Sequence, residues 1–226
     1  ILLFLALASS ALVAKKPNII LVMTDDQGYG PVGKHGHPWI KTPNLDKLVA
    51  RGTTFAQAYN SGAWDGAVCV ASRRMMMTGL QVWDAQKAKL GFMVKNKQLF
   101  PNRLQRAGYD TYFSGKWHVG PDRFCEETWE NVGHVRPGMP SQTDARYERN
   151  FTPGEDDWDP ADPKFGGFWD GGTHWSEVLA QDSETFFETV KKKDDPFCMM
   201  LCFNAAHDPR QAPQAYQDKY PYDTID

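Results

Sequence analysis

Four short segments of this chain carry side chains that could act on an anionic substrate. Asp25 and Asp26 are adjacent carboxylates after an apolar run. Two such charges repel unless a cation lies between them, and a hard divalent ion with oxygen ligands meets that need; a solvated turn is the plainer alternative. Cys69 stands just before a predicted helix, with Arg73 one turn further on. A helix N-terminus and a guanidinium both favour a thiolate, whereas a buried thiol needs neither. Lys116 and His118 lie two apart in Gly115-Lys116-Trp117-His118-Val119-Gly120. If a strand runs through them, a cation and a titratable imidazole face one side; ordinary polarity at a strand end is the other reading. His207, in Ala206-His207-Asp208-Pro209, follows a second apolar run and could donate a proton, although a lone histidine is more often structural.

The elements needed to position these groups can be read from periodicity and punctuation. Residues 18–24 (NIILVMT) form a short apolar run bounded by Pro17 and the aspartates, which predicts a fully buried parallel strand. Thr42 as N-cap and Pro43 in the first turn open a helix with Leu45, Leu48 and Val49 on one face, stopped by Gly52. A short strand is predicted at 53–59, a helix at 72–78 closed by Gly79, a helix at 99–107 stopped by Gly108, and a strand at 109–114. Residues 121–172 are rich in Gly, Pro, Asp and Trp without a clear period and read as long loops, of the kind that is usually functional. A long amphipathic helix at 174–193 and a buried strand at 196–204 (PFCMMLCFN) complete the pattern.

Strands alternating with helices predict an α/β domain with a mostly parallel sheet. Sites in such sheets lie outside the carboxyl ends of the strands. Asp25-Asp26, Cys69, residues 115–118 and His207 each follow a predicted strand, so they are expected to share one cleft.

The 226 residues are 41% hydrophobic and 23% charged, an ordinary globular balance. A net charge of -3 with no long basic run gives nucleic acid no electrostatic footing. Aromatics make up 13%, with eight Trp, enough to fill a core or to wall a groove for sugar rings. Residues 1–14 (ILLFLALASSALVA) are apolar and end in small residues, the pattern of a secretory leader lacking its basic start. The run is too short for a membrane span, which needs about 20 residues. The expected organisation is a leader remnant over 1–14 and a catalytic segment over 15–226, secreted or periplasmic. Cys198 and Cys202, four apart on one strand, are too distant for a bond and read as buried thiols.

In this order and spacing the segments resemble the type I sulfatase family of the alkaline phosphatase superfamily. The pieces are Pro17-Asn18-Ile19-Ile20 with Asp25-Asp26-Gln27-Gly28-Tyr29-Gly30; Lys41-Thr42-Pro43-Asn44-Leu45-Asp46; Cys69-Val70-Ala71-Ser72-Arg73 with Thr78-Gly79; Ala107-Gly108-Tyr109 with Gly115-Lys116-Trp117-His118; and His207-Asp208-Pro209-Arg210. The resemblance implies an alkaline-phosphatase-like α/β fold, incomplete at the C-terminus, and hydrolysis of a sulfate ester. It implies that Asp25 and Asp26 ligate Ca²⁺, and that a formylglycine-generating enzyme converts Cys69 to formylglycine, whose hydrate also contacts the metal. Arg73 would hold that hydrate, Lys116 the sulfate oxygens, His118 the formylglycine hydroxyl, and His207 would sit by the leaving-group oxygen.

The implied chemistry is attack on sulfur by one hydroxyl of the hydrate, protonation of the departing alcohol, and release of sulfate as the second hydroxyl is deprotonated. A plain serine would stall at the ester. Two departures stand out: Ala71 occupies a position that is most often Pro in the family, and the family's remaining metal ligands and a further sulfate-binding Lys fall beyond Asp226. The substrate implied is a sulfated sugar; the stretch 207–213 also resembles bacterial choline-sulfatase-like members, which points to a small alkyl sulfate. A phosphodiester or phosphonate hydrolase of the same superfamily and an inactive fragment are the competing readings.

Overall fold

Four short stretches of extended chain build the main sheet. In a computed structural model describing residues 15–140, 152, 154–221 and 224, they are β1 (Ile19–Met23), β2 (Asp110–Lys116), β3 (Asn131–Arg136) and β6 (Phe197–Cys202). They form a parallel sheet in the order β1-β6-β2-β3. The expected leader over 1–14 lies outside the described residues.

Along β6 the side chains alternate between two cores, and all are buried. Cys198, Met200 and Cys202 join Phe113, Trp117, Trp129 and Leu99 on one face. Phe197, Met199 and Leu201 join Tyr112, Leu179, Phe186 and Val190 on the other. That two-sided burial explains the unbroken apolar run. Among the described residues the α-helices are α1 (Pro43–Arg51), α2 (Val68–Thr78), α3 (Val82–Lys87), α4 (Leu90–Lys95), α5 (Phe100–Arg106), α6 (Arg123–Glu126), α7 (Trp175–Val190) and α8 (Gln214–Gln217). A two-stranded antiparallel ribbon, β4 (Trp169–Asp170) and β5 (Thr173–His174), leads into α7. Among the described residues no helix is long and apolar enough to cross a membrane.

Several expectations are corrected. Among the described residues β1 is an edge strand and not a fully buried one: Ile19, Leu21 and Met23 pack on the core, but Ile20 is 47% and Val22 60% exposed. Residues 53–59 form no strand and are exposed. The stretch 121–172 holds α6, β3 and β4 besides loops, and residues 141–151 and 153 of it lie outside the described residues. Thr42 does not cap α1 with its side chain; its hydroxyl accepts from the Gly33 N–H at 2.9 Å and donates to Asp46 at 3.0 Å. Cys198 and Cys202 are buried free thiols, as expected; Cys125 is also buried and free, and Cys69 is free and part-buried. Burial pushes the Cys198 thiol up to about 11.

Asp182 ties α7 to the two outermost strands of the other sheet edge. Its carboxylate accepts from the Ser114 hydroxyl at 2.5 Å and the His134 N–H at 2.9 Å, and faces the His134 ring at 3.0 Å. Gly133 is glycine for a steric reason, since a Cβ there would lie 2.5 Å from the carboxylate. Burial by itself would raise the Asp182 pKa, but these donors outweigh it and hold the carboxyl below its usual value. A depressed carboxyl stabilises the fold fully above its unfolded value of about 4, and that contribution is lost as pH falls through the folded value. Asp182→Asn is expected to cost about 1–3 kcal/mol at pH 7 and to flatten the loss of stability below about pH 4, read by urea unfolding across pH.

Candidate active site

Asp25 emerges two residues after β1, and its N–H donates to the Ala205 carbonyl at 3.1 Å, joining it to the segment that leaves β6. The residue is 4% exposed. A bare carboxylate at that depth is costly, and two cations answer it. Lys116, the last residue of β2 and fully buried, contacts Oδ2; Arg73 Nη2 lies 3.6 Å from Oδ1. Arg73 also donates from Nη1 to the Lys116 carbonyl at 2.6 Å. Lys116 can reach this point because Gly115, at φ +102°, lets β2 press against β6: a Cβ would fall 1.9 Å from the Cys202 carbonyl oxygen.

Cys69 is the second residue of α2, which begins four residues earlier than expected, so the cysteine sits inside the first turn and not before it. Because 53–59 is not a strand, an irregular loop delivers it. One turn separates Cys69 from Arg73, which places both on one side of α2. The Cys69 Sγ lies 3.2 Å from His118 Nδ1. β2 ends at Lys116, so strand alternation does not aim His118; a left-handed backbone (φ 45°) does, a conformation that His tolerates better than most residues. Gly138 backs the ring, and a Cβ there would sit 2.5 Å from it. Burial, then Lys116 and Arg73, lower the His118 pKa, so the ring is neutral at pH 7 and can accept a proton.

His207 closes the far side, its Nε2 3.5 Å from Asp26 Oδ2. Its Nδ1 is 2.9 Å from the Asp208 carbonyl, which can only accept, so Nδ1 donates there and Nε2 is the ring nitrogen left facing Asp26. Asp26 is mostly exposed and also left-handed (φ 57°). A cavity of about 230 Å³ is lined by Asp25, Asp26, Asn60, Cys69, Ser72 and Arg73, among others. Asn60 and Ser72 carried no sequence signal for this role, nor did Gly138.

The carboxylates of Asp25 and Asp26 are donors of the kind Ca²⁺ takes, but about six to eight oxygens are normal for that ion. Among the described residues no three His, Cys, Asp or Glu side chains cluster as metal ligands. The described residues therefore fit one part of a calcium shell. Arg73 Nη2 is the complementary feature: it is buried, without a hydrogen-bond partner, and on the cavity wall, where an anionic oxygen would satisfy it.

Lys116→Met is expected to cost about 3–5 kcal/mol in denaturant unfolding at pH 7, because it strips a buried carboxylate of its closest cation. Lys191→Met, which removes only an exposed pair with Glu188, is expected to leave the unfolding midpoint essentially unchanged.

The profile of the Sulfatase family matches residues 17–225. N-acetylgalactosamine-6-sulfatase of Mus musculus is 25% identical over 250 residues, covering 95% of this chain and 45% of that protein. Among solved structures, Ps i-CgsB in complex with k-i-k-neocarrahexaose matches with a TM-score of 0.65 at 25% identity, over 92% of this chain and 49% of that one. A protein in the alkaline phosphatase superfamily from Vibrio parahaemolyticus matches with a TM-score of 0.53 at 21% identity, over 88% of this chain and 43% of that one, a likeness of fold. The chain spans under half the length of these proteins.

Proposed function

The chain belongs to the sulfatase family, and from that premise we propose that it carries the nucleophile end of a sulfuric ester hydrolase acting on sulfated carbohydrate. The observation that carries the reading is the pairing, in one cavity, of Cys69 with Arg73, whose buried Nη2 has no hydrogen-bond partner. A cation held dry beside a nucleophile stabilises charge developing on a sulfuryl group far more than it would in water. The carbohydrate part rests on relatives: one is named for a hexosamine sulfate, and another was solved with a carrageenan oligosaccharide.

In this reading Arg73 and Lys116 bind the sulfuryl oxygens. His118, neutral and 3.2 Å from the Cys69 sulfur, takes a proton from the group at position 69. His207 delivers the Nε2 proton to the departing alcohol. Formylglycine made from Cys69 would supply a hydrated aldehyde, with one hydroxyl to attack sulfur and another through which sulfate is expelled. Asp25 and Asp26 would hold Ca²⁺, adding positive charge at the same oxygens. Export fits both the apolar run over 1–14 and a polysaccharide substrate.

Protein from the native host is expected to show a Cys69 peptide about 18 Da lighter than the thiol form by mass spectrometry, with Cys69→Ala losing at least about 10³-fold in turnover of a sugar sulfate. A thiol mass in active protein, or faster turnover of a phosphodiester than of the sulfate, would overturn the reading.

A further inference from the structure

We propose that Gln211 is a positioning residue for His207, fastening the segment that carries this proton donor to the turn and β4–β5 ribbon over 166–174; the inference rests on the reading of His207 given above. Residues 204–213 form neither helix nor strand, yet His207 must be held opposite Asp26. One end of the segment is tied by Asn204, whose amide donates to the Pro137 carbonyl at 3.1 Å, and by Ala205, which accepts from Asp25.

Gln211 ties the other end. It is 5% exposed; its Oε1 accepts from the Phe168 N–H at 2.8 Å and its Nε2 donates to the Gly166 carbonyl at 2.9 Å. A side-chain amide that completes both bonds to one segment acts as an extra strand pair, and losing it leaves a buried N–H of Phe168 and a part-buried carbonyl of Gly166 without this partner. Gly167, at φ +73°, is shaped around this contact: a Cβ there would lie 2.2 Å from Oε1 and 2.8 Å from Pro209 Cγ. His174, which caps α7, adds a third bond. Its Nδ1 accepts from the Ser176 N–H at 3.2 Å, so the proton is on Nε2, which donates to the Gln211 carbonyl at 3.1 Å. The His207 side chain is largely buried, and its polar partners are Asp26 and the carbonyl of its own neighbour Asp208, so where the ring falls depends on these two ties. Displacement of a proton donor by about 1 Å costs on the order of 10²-fold.

The test is leaving-group dependence in the full-length, matured enzyme. p-Nitrophenyl sulfate releases an acidic phenol that needs no proton, whereas glucose 6-sulfate releases an alcohol that does. Gln211→Ala is expected to lower kcat/KM for the sugar sulfate about 10²-fold and for the aryl sulfate by less than about threefold. Equal losses on both esters would show a merely structural role and overturn the proposal. If His207→Ala itself is indifferent to the leaving group, the reading of His207 as the acid fails first. Gly167→Ala strains the same contact from the other side and is expected to repeat the pattern if Gln211→Ala does not fold. The imidazole proton resonances of His207 should shift and broaden in either variant; unchanged resonances would also sink the idea.

Discussion

Asp25 can be buried only while Arg73 and Lys116 stand against it. An ionised carboxylate in the interior costs several kcal/mol, and the attraction of neighbouring cations repays that only when the geometry is close. That requirement fixes where three elements end. β1 must stop two residues short of Asp25, β2 must carry Lys116 to its last position, and α2 must start early enough for Arg73 to reach across. Gly115 removes the side chain that would hold β2 away from β6. The two cations of this trio are the groups that would meet an anionic substrate in the proposed reading, so what holds the strand ends together also bears on the polarity of the cavity.

Much of the framework was legible because it rests on local signals. The run over 196–204 could only be buried on both faces, and β6 is. Pro43 and Gly108 mark helix boundaries through backbone restrictions that need no tertiary partner. The misreadings share a cause. The run 18–24 is apolar enough for a central strand, but composition cannot say which neighbours cover Ile20 and Val22. β3 was missed because Gly133 and His134 interrupt its pattern; both answer to Asp182, which lies 48 residues beyond His134 on α7.

For the site, residue types revealed the chemistry and tertiary structure set the aim. Cys69, Arg73, Lys116 and the aspartates were conspicuous as reactive or charged groups. How His118 reaches Cys69 was not, since it depends on a left-handed backbone and on the absence of a side chain at Gly138. Gln211 looks like any loop glutamine until its partners at Gly166 and Phe168 are seen. Such roles belong to pairs of segments, and a single sequence encodes them without displaying them.

The parallel pairing of β1 with β6 has a consequence for biogenesis. Asn18 and Phe197 share a hydrogen bond although 179 residues separate them. At a synthesis rate of about 5–20 residues per second, β1 leaves the ribosome roughly ten to thirty-five seconds before its partner exists. During that interval an apolar strand is present with neither edge paired, a template for association with other chains. The sheet therefore closes late, and whatever escorts the nascent chain has to shield its first strand until β6 arrives.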